Sequence, residues 1–163
     1  MSIRLFFYLI FILSHSDIIS QSFDNVSLIN NKIISYQFNE ANAYISADGN
    51  TLYFNSSNNS NNTGGLADMN DIWYRNKDNN VWGSPINLSV VNTSDNEVLI
   101  GLYDGSLIIL KNNLISYYDM NDNFKLIKNE ALDGFSPNYN LLSGSINKSL
   151  DMIFLSFEGY GTY

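Results

Sequence analysis

Apolar and polar positions along this chain alternate over short stretches that are separated by polar turns. The short stretches are rich in β-branched and aromatic residues, and Asn, Asp and Gly bound them, which is the pattern of strands. The predicted strands are Thr51–Phe54, Asp71–Arg75, Ser106–Leu110, Leu114–Tyr118 and Met152–Ser156. No segment after residue 20 shows sustained helical periodicity, so the pattern predicts an all-β protein.

Two stretches of the chain, residues 43–92 and 96–126, follow the same order of elements. In each, an Asp-Gly pair precedes an apolar strand, which is a strong hairpin signal because both residues tolerate a positive φ. A further strand and a second polar turn follow, at residues 76–80 and 119–123. An aromatic residue, Trp82 or Phe124, then enters a last strand.

A third unit begins at about Leu141, where Asn147, Lys148 and Ser149 take the turn position. The two Asp-Gly turns lie 56 residues apart, and the third turn follows about 44 residues later. A polar loop at residues 55–68 accounts for the greater length of the first unit. A period of this size with several short strands is typical of β-propeller blades; the alternative is a β-sandwich with similarly spaced turns.

Residues 1–20 have the pattern of a cleavable signal peptide. Arg4 supplies the positive charge, Leu5–Leu13 is an unbroken apolar run, and residues 14–20 form a more polar exit. The apolar run is too short to span a bilayer, although a buried strand or a membrane anchor remains an alternative. We expect cleavage near Ser20 and export to the periplasm, the outer membrane or the medium, with no stable transmembrane segment afterwards.

The residue types available after the signal peptide exclude several chemistries. The chain has no Cys, and its one His is His15, inside the signal. A Ser-His triad or a thiolate site is therefore excluded from the exported part. The net charge of -8 comes from scattered acids, which we assign to a solvated surface and which argue against nucleic-acid binding.

Four segments resemble the PD40 (WD40-like) repeat of TolB-like propellers. They are Ile45–Phe54 (ISADGNTLYF), Asp71–Tyr74 (DIWY), Trp82–Leu88 (WGSPINL) and Asn92–Glu97 (NTSDNE). The second unit is degenerate, with Leu107, Ile108 and Ile109 where the repeat has Leu-Tyr-Phe, and the third keeps Phe154, Ser156, Gly159 and Gly161. The resemblance implies exported proteins like those common in the Bacteroidetes, where an OmpA-like domain often follows the propeller.

The resemblance also implies a domain organisation. Residues 1–20 are the signal, 21–40 a lead-in, and 41–163 a partial propeller of about three blades, each an antiparallel four-stranded sheet, at 41–92, 93–135 and 136–163. Propellers close with typically four to eight blades, so three leave an incomplete ring. We therefore expect a fragment of a longer protein, or self-assembly if the chain is complete.

The residues that carry the repeat signature are expected to be structural. Asp residues before Gly make turns, large aromatic residues fill the core, and Pro sits at a strand end because it cannot donate to a ladder. The signature set is Asp48, Gly49, Tyr53, Phe54, Asp71, Trp73, Trp82, Pro85, Asp104 and Gly105. No catalytic residue, cofactor or metal ligand is assigned.

The same residues give little support to an enzyme or a metal site. A sialidase needs an arginine cluster, which Arg75 alone cannot supply. A glycosidase needs two acids at a defined separation, but acidic residues at turns are better explained by the preference of Asp for turns. A calcium loop at residues 68–71 or 119–123 is also less well supported than an ordinary turn, because the Gly and the Glu of an EF-hand loop are missing. The acids in question are Asp48, Asp68, Asp71, Asp95, Glu97 and Asp104, all at expected turns.

The leading functional prediction is a non-catalytic exported module that binds or scaffolds protein at the cell envelope. The alternative is a propeller that binds a polysaccharide of the cell envelope, or hydrolyses it with an acid pair, beside exposed Trp or Tyr. We expect Trp73, Trp82 and the tyrosines to be core residues rather than a sugar platform. A third possibility is a remnant with no function of its own.

Overall fold

The computed structural model of this chain describes residues 38–134 and 141–157. The predicted signal peptide, Gly159 and Gly161 lie outside these residues. The described residues form an all-β structure with antiparallel sheets, and their only helical segment is the 3-10 turn Gly65–Ala67. The strands are β1 Asn39–Ile45, β2 Thr51–Ser57, β3 Asp71–Asp78, β4 Val81–Trp82, β5 Ile86–Asn87, β6 Glu97–Tyr103, β7 Ser106–Lys111, β8 Leu114–Asp119, β9 Lys125–Ala131, β10 Leu141–Ile146 and β11 Ile153–Phe157.

The strands form three antiparallel sheets in chain order. Sheet 1 has the order β1-β2-β3-β4, with β5 also paired to β3; sheet 2 has the order β6-β7-β8-β9; sheet 3 is the pair β10-β11. Sheet 2 is therefore a four-stranded meander, and sheet 1 differs from it in that its last strand is split into two short pieces. No helix in the described ranges is long and apolar enough to cross a membrane.

The turns explain where the strands begin and end. Asp104 and Gly105 have φ of 46° and 74°, the pair of positive values that a two-residue turn needs between β6 and β7. Asn79 and Asn80, at φ 47° and 63°, make the equivalent turn between β3 and β4. The Asp-Gly prediction is thus confirmed for Asp104 and Gly105.

The first Asp-Gly pair sits in a longer turn than the two-residue hairpin that we expected. Only Gly49 has a positive φ there, and the backbone N–H of Ser46 donates to the Thr51 oxygen at 2.8 Å. Asp48 instead accepts a hydrogen bond from the Asn50 backbone N–H at 3.1 Å and one from the Ser46 hydroxyl. The side chain of Asp48 therefore holds the turn, as Asp does in an Asx-turn.

The turn of sheet 3 repeats the geometry of the Ser46–Thr51 turn. The Asn147 backbone N–H donates to the Met152 oxygen, and the Leu150 N–H donates to the Asn147 oxygen at 3.0 Å. Leu150 stands where sheet 1 has Gly49, and it has a φ of 59°, which is unusual for a large side chain. The third unit thus keeps the turn although it has lost the glycine.

Each sheet also has a β-bulge in its first strand. Pairing shifts by one residue between Ala41 and Tyr44 in β1, between Leu99 and Gly101 in β6, and between Leu141 and Ser143 in β10. A bulge bends and twists its strand and leaves the extra residue out of the ladder. The first strands of the three sheets thus share this irregularity, with two, three and four residue pairs between the bulge and the turn.

Strands β6 and β7 of sheet 2 are buried on both faces, between sheets 1 and 3, whereas the edge strand β9 is exposed. Leu99, Leu107 and Ile109 face one way and pack with Tyr53 and Ile72 of sheet 1. The residues that alternate with them face the other way and pack with sheet 3. They are Val98, Ile100, Ile108, Leu110, Ile115 and Tyr117, against Leu141, Ile146, Ile153, Leu155 and Phe157. The unbroken apolar runs of β6 and β7 are explained by this position, because neither face meets solvent.

Two local expectations were wrong. Phe124 lies in the turn before β9, with φ 54°, and packs against the core from there instead of entering the strand. The segment predicted to be a polar loop, residues 55–68, begins as part of β2. It also contains buried Asn55, Asn59 and Asn62, because their amides supply hydrogen bonds to neighbouring elements.

Candidate functional site: the groove between sheets 1 and 3

The first strands of the three sheets meet at Tyr44. Its hydroxyl donates to the backbone oxygen of Ile100 at 2.9 Å and lies 3.3 Å from that of Gly144. Ile100 is the extra residue of the β6 bulge, so its carbonyl is free to accept this bond. One side chain of β1 therefore ties together backbone groups of β6 and β10.

Two glycines allow β6 and β10 to approach closely. A Cβ atom on Gly144 would lie 2.6 Å from Cγ2 of Ile100, and one on Gly101 would lie 2.7 Å from Cγ2 of Ile146. Both distances are too short for real carbon contacts, so each glycine makes room for the isoleucine of the opposite strand. This close contact fixes the separation between sheets 2 and 3 at their first strands.

An open groove of about 470 Å³ lies between sheet 1 and sheet 3 at this junction. The size falls within the range that is usual for ligand sites. Its lining comes from three strands, β1, β10 and β11. The lining residues are Asn42, Ala43, Tyr44, Ser143, Gly144, Ser145, Phe154, Leu155 and Ser156.

The described lining mixes polar and apolar groups and carries no ionised side chain. It offers serine hydroxyls and the Asn42 amide, and Phe154 exposes 62% of its surface. Tyr44 is its only titratable residue, and burial raises the pKa of its phenol, so the hydroxyl keeps its proton. The groove therefore suits a neutral polar ligand with an apolar group that can rest on Phe154.

Asn42, which lines the groove, is held by the buried side-chain amide of Asn55. Asn42, at φ 51° in the bulge, donates from Nδ2 to Oδ1 of Asn55 at 2.9 Å. Asn55 is fully buried; the same oxygen accepts from the Leu99 backbone N–H at 2.9 Å, and its Nδ2 donates to the Glu97 oxygen at 2.7 Å. The Asn55 side chain thus pairs with β6 as a peptide group would and holds the bulge in place.

A second buried asparagine makes a similar link at the edge of sheet 1. Asn92 accepts from the backbone N–H of Ile72 and donates to its oxygen, each at 2.8 Å. Its Nδ2 also donates to Oδ1 of Asn87 at 3.0 Å. Sequence reasoning missed the roles of Asn55 and Asn92 because it assigned asparagine to turns. The position of Asn55, directly after the Leu-Tyr-Phe run, could have indicated that it continues the strand and is buried with it.

Glu97 opens β6 as a buried carboxylate. It accepts from the Thr93 hydroxyl and backbone N–H, and lies 3.3 Å from the Lys111 ammonium. Burial raises the pKa of Glu97 in spite of these partners. For Lys111, burial acts to lower the pKa, but Glu97 and Asp95 outweigh it and the pKa is raised. Both pKa values are raised, which disfavours the charge on Glu97 and favours the charge on Lys111. Glu97 is 1% exposed and Lys111 is 27% exposed, so the carboxylate loses more hydration than the ammonium.

The residues predicted to carry the repeat signature lie outside the groove. Tyr53, Phe54, Trp73 and Asp71 are buried in sheet 1, and Asp48, Asp104 and the two turn glycines lie in turns. Pro85 directly precedes β5, as expected for a residue without an N–H. Phe154 and Ser156, kept in the third unit, are the residues of the family pattern that line the groove.

The two tryptophans differ in their surroundings. Trp73 is 7% exposed and donates from Nε1 to Oδ1 of Asn62 at 3.0 Å, which makes it a core residue. Trp82 is half-buried in β4, and the Lys77 ammonium lies 5.6 Å from the centre of its ring. Neither residue lines the groove, so the exposed aromatic residue there is Phe154.

The acids were expected to lie in turns on the surface, and for three of them this was wrong. Asp68, Asp71 and Glu97 are 3%, 0% and 1% exposed, because each accepts hydrogen bonds from a neighbouring loop. Asp48 is fully exposed, and a short contact with Ser46 and the bonds from Asn50 lower its pKa. Across the two described ranges, no group of three or more His, Cys, Asp or Glu side chains could hold a metal ion.

Comparison with known proteins returns no match to this chain, whether against family models, curated proteins or solved structures. The resemblance to the PD40 repeat therefore stays a prediction from the residues quoted above.

Proposed function

We propose that this chain is a non-catalytic binding module of the β-propeller kind, which holds an extended polypeptide segment in the groove between sheets 1 and 3. The observation that carries the proposal is the groove itself: a site of ligand size, built by the first strands of two units, with a lining of uncharged polar and apolar groups and an exposed Phe154. Export to the cell envelope, predicted from residues 1–20, would place the partner protein there.

The bulges favour a polypeptide as the ligand. Asn42 with Ala43 in β1, and Leu142 in β10, fall at the register shifts of the two strands that border the groove. Main-chain groups outside a ladder can pair with the main chain of an added segment, as in β-augmentation. Phe154 would then supply the apolar contact that selects one side chain of the segment.

The blade interpretation of the three sheets belongs to the same proposal. Sheet 2 stacks face to face between its neighbours, and the first strand of each sheet contains a bulge near the common junction. Radially arranged sheets whose first strands surround an axis would give this arrangement. The groove would then lie beside the axis of the propeller.

The buried acids favour binding over hydrolysis. A glycosidase needs two carboxyl groups that reach the substrate. Asp71 and Glu97 are instead held by loop donors inside the protein, and none of the described residues that line the groove is a carboxylate. The groove therefore lacks the acid pair of the hydrolysing alternative.

A saccharide is the second candidate ligand. Serine hydroxyls and an amide beside an exposed aromatic ring can hydrogen-bond and stack against a neutral sugar. The groove offers Ser143, Ser145 and Ser156 beside Phe154 in this way. Ligand screening must therefore test both classes.

The experiment is a selection of displayed random peptides on the full chain, run beside a glycan array. Peptides with a common apolar residue among neutral neighbours should be enriched, and Phe154→Ala should weaken the best of them on the order of tenfold or more. Ile127→Ala is the matched control, because Ile127 is 55% exposed on β9, away from the groove. Glycan binding that depends on Phe154 would establish the saccharide instead, and binding that Phe154→Ala leaves unchanged would refute the groove as the site.

A further inference from the structure

Two buried carboxyl groups face each other where the loop between β2 and β3, residues 58–70, meets β3. Asp68 lies in this loop, and Asp71 opens β3. They are 3% and 0% exposed, and the two side chains lie within hydrogen-bonding reach of each other. They take no part in the groove.

One oxygen of each carboxyl group is well satisfied. Oδ2 of Asp68 accepts from the Gly64 backbone N–H at 3.0 Å. Oδ2 of Asp71 accepts from the backbone N–H of Thr63 at 2.7 Å, from the Thr63 hydroxyl at 3.0 Å and from Nδ2 of Asn87 at 2.5 Å. The donors of Thr63 and Gly64 belong to the loop, so the two aspartates anchor it to the sheet.

The other oxygen of each group, Oδ1, is buried and has no hydrogen-bond partner. A buried acceptor without a donor is costly, and two facing carboxylates repel when both are ionised. A single proton between the groups would remove both costs, because a protonated Asp68 can donate to Asp71. The three donors on Asp71 make it the carboxylate of such a pair.

We propose that Asp68 and Asp71 share one proton, and that release of this proton loosens the loop of residues 58–70, which makes the pair a pH-sensitive latch. Burial raises the pKa of Asp68 to about 6, with smaller contributions in the same direction from Asp71 and Glu97 against the Gly64 N–H. A folded-state pKa above the usual value of 3.8 means that the folded state binds the proton more tightly. The stabilisation is complete at pH below 3.8 and is lost as pH rises through about 6.

The other charged groups nearby do not neutralise the pair. Glu97, on β6, adds negative charge. The Lys111 ammonium on β7 lies 3.3 Å from Glu97 and 3.3 Å from Asp95, which hold it. Release of the proton therefore leaves two negative charges together in a buried place.

The loop that the two aspartates hold also borders a second hollow, of about 180 Å³, on sheet 1. Asn59 and Asn61 of the loop form one wall of it, opposite Phe54 and Trp73. Asn87 connects the two places, because its Nδ2 contacts Oδ2 of Asp71 and lies 3.4 Å from the Asn61 oxygen. Loosening of the loop would change the shape of this hollow above about pH 6.

The test compares the melting temperature of the full chain with that of Asp68→Asn from pH 4.5 to pH 8. Asn carries an N–H₂ group that can replace the shared proton at every pH. The two proteins should melt alike at pH 4.5, and Asp68→Asn should melt higher by about 3 °C or more at pH 7.5. Asp71→Asn is the matched variant. It removes the carboxylate that accepts three hydrogen bonds, so it should melt lower at every pH.

Amide hydrogen exchange of the unmodified chain gives an independent readout. After correction for intrinsic exchange rates, the N–H groups of Thr63 and Gly64 should lose protection between pH 5 and pH 7.5, while that of Leu99 keeps it. A melting difference that does not change with pH, or equal protection at both pH values, would overturn the latch. A rise in melting temperature with Ca²⁺ at pH 7.5 that needs both aspartates would also overturn it, in favour of a bound cation.

Discussion

The hydroxyl of Tyr44 on β1 donates to the backbone oxygen of Ile100 on β6 across 2.9 Å. Ile100 is the extra residue of a bulge, and the hydroxyl also lies 3.3 Å from the Gly144 oxygen on β10. The bond therefore joins the first strands of all three sheets beside the groove.

Removal of this hydroxyl should destabilise the fold. We predict that Tyr44→Phe lowers the free energy of unfolding by about 1 kcal/mol, because the carbonyl of Ile100 loses its donor. Urea denaturation measures the change, with Tyr103→Phe as the control, since Tyr103 is 44% exposed. A loss of stability no greater than in the control would show that the bond does not hold the strands.

The close contact between Gly144 and Ile100 predicts a steric cost. An alanine at position 144 would place its Cβ 2.6 Å from Cγ2 of Ile100, so we expect a loss of about 1–3 kcal/mol. In the background of Ile100→Ala, which removes that methyl group, the same substitution should cost less. A double-mutant cycle measured by urea denaturation checks the coupling; additive effects would contradict the contact.

Substitution of Gly49 should also destabilise the fold, but through backbone strain and not through a steric clash. A Cβ there would meet no atom within 4 Å, but the residue has φ 74°. We expect Gly49→Ala to lose about 1 kcal/mol through backbone strain alone. Gly49→Asn should lose less, because Asn tolerates this conformation. Equal losses for Ala and Asn, measured by thermal denaturation, would contradict this origin.

The burial of β7 on both faces predicts that neighbouring residues of this strand are equally sensitive to truncation. Ile108 faces sheet 3 and Ile109 faces sheet 1, and each is 1% exposed. Each substitution by Ala should cost about 2–5 kcal/mol, whereas Ile127→Ala should change stability by less than about 0.5 kcal/mol. Tolerance of either Ala in urea denaturation would mean that one face of the sheet is open.

The pair of Glu97 and Lys111 predicts a pH-dependent loss. Lys111→Met leaves the Glu97 carboxylate buried without its cation, so we expect about 2 kcal/mol at pH 7, less than for a fully buried pair because Lys111 is 27% exposed. The raised pKa of Glu97 means that its own contribution favours the folded state below the usual value of 4.5 and is lost as pH rises. The variant should therefore lose less at acid pH, where Glu97 is neutral. A loss independent of pH, measured by denaturation at pH 4 and pH 7, would contradict this pairing.

The strands could be predicted because their signals are local. The Asp104-Gly105 turn and the apolar runs of β6 and β7 depend on backbone conformation and hydropathy within a few residues. The structure extends four of the predicted strands by one to three residues, as in β2, which continues from Phe54 to Ser57. It shifts the fifth, predicted at Met152–Ser156, by one residue to Ile153–Phe157. Strand ends depend on pairing partners that a local pattern does not contain.

The groove and the buried polar groups could not be predicted in the same way. Asn55 contacts Glu97 and Leu99, more than 40 positions away, and Asp71 and Glu97 look like turn residues until their loop donors are known. Phe154 is exposed although it lies in an apolar strand, because it alternates with Ile153 and Leu155, which pack against sheet 2. Such roles depend on which sheets meet, and local sequence does not specify this.

Hydrogen exchange of the full chain with and without a selected peptide tests most directly the claim that the groove is the binding site. Binding should protect backbone amides at residues 42–44, 143–145 and 154–156, and leave β9 unchanged. Protection confined to β9 or to the hollow beside Trp73, with none in the groove segments, would contradict the account.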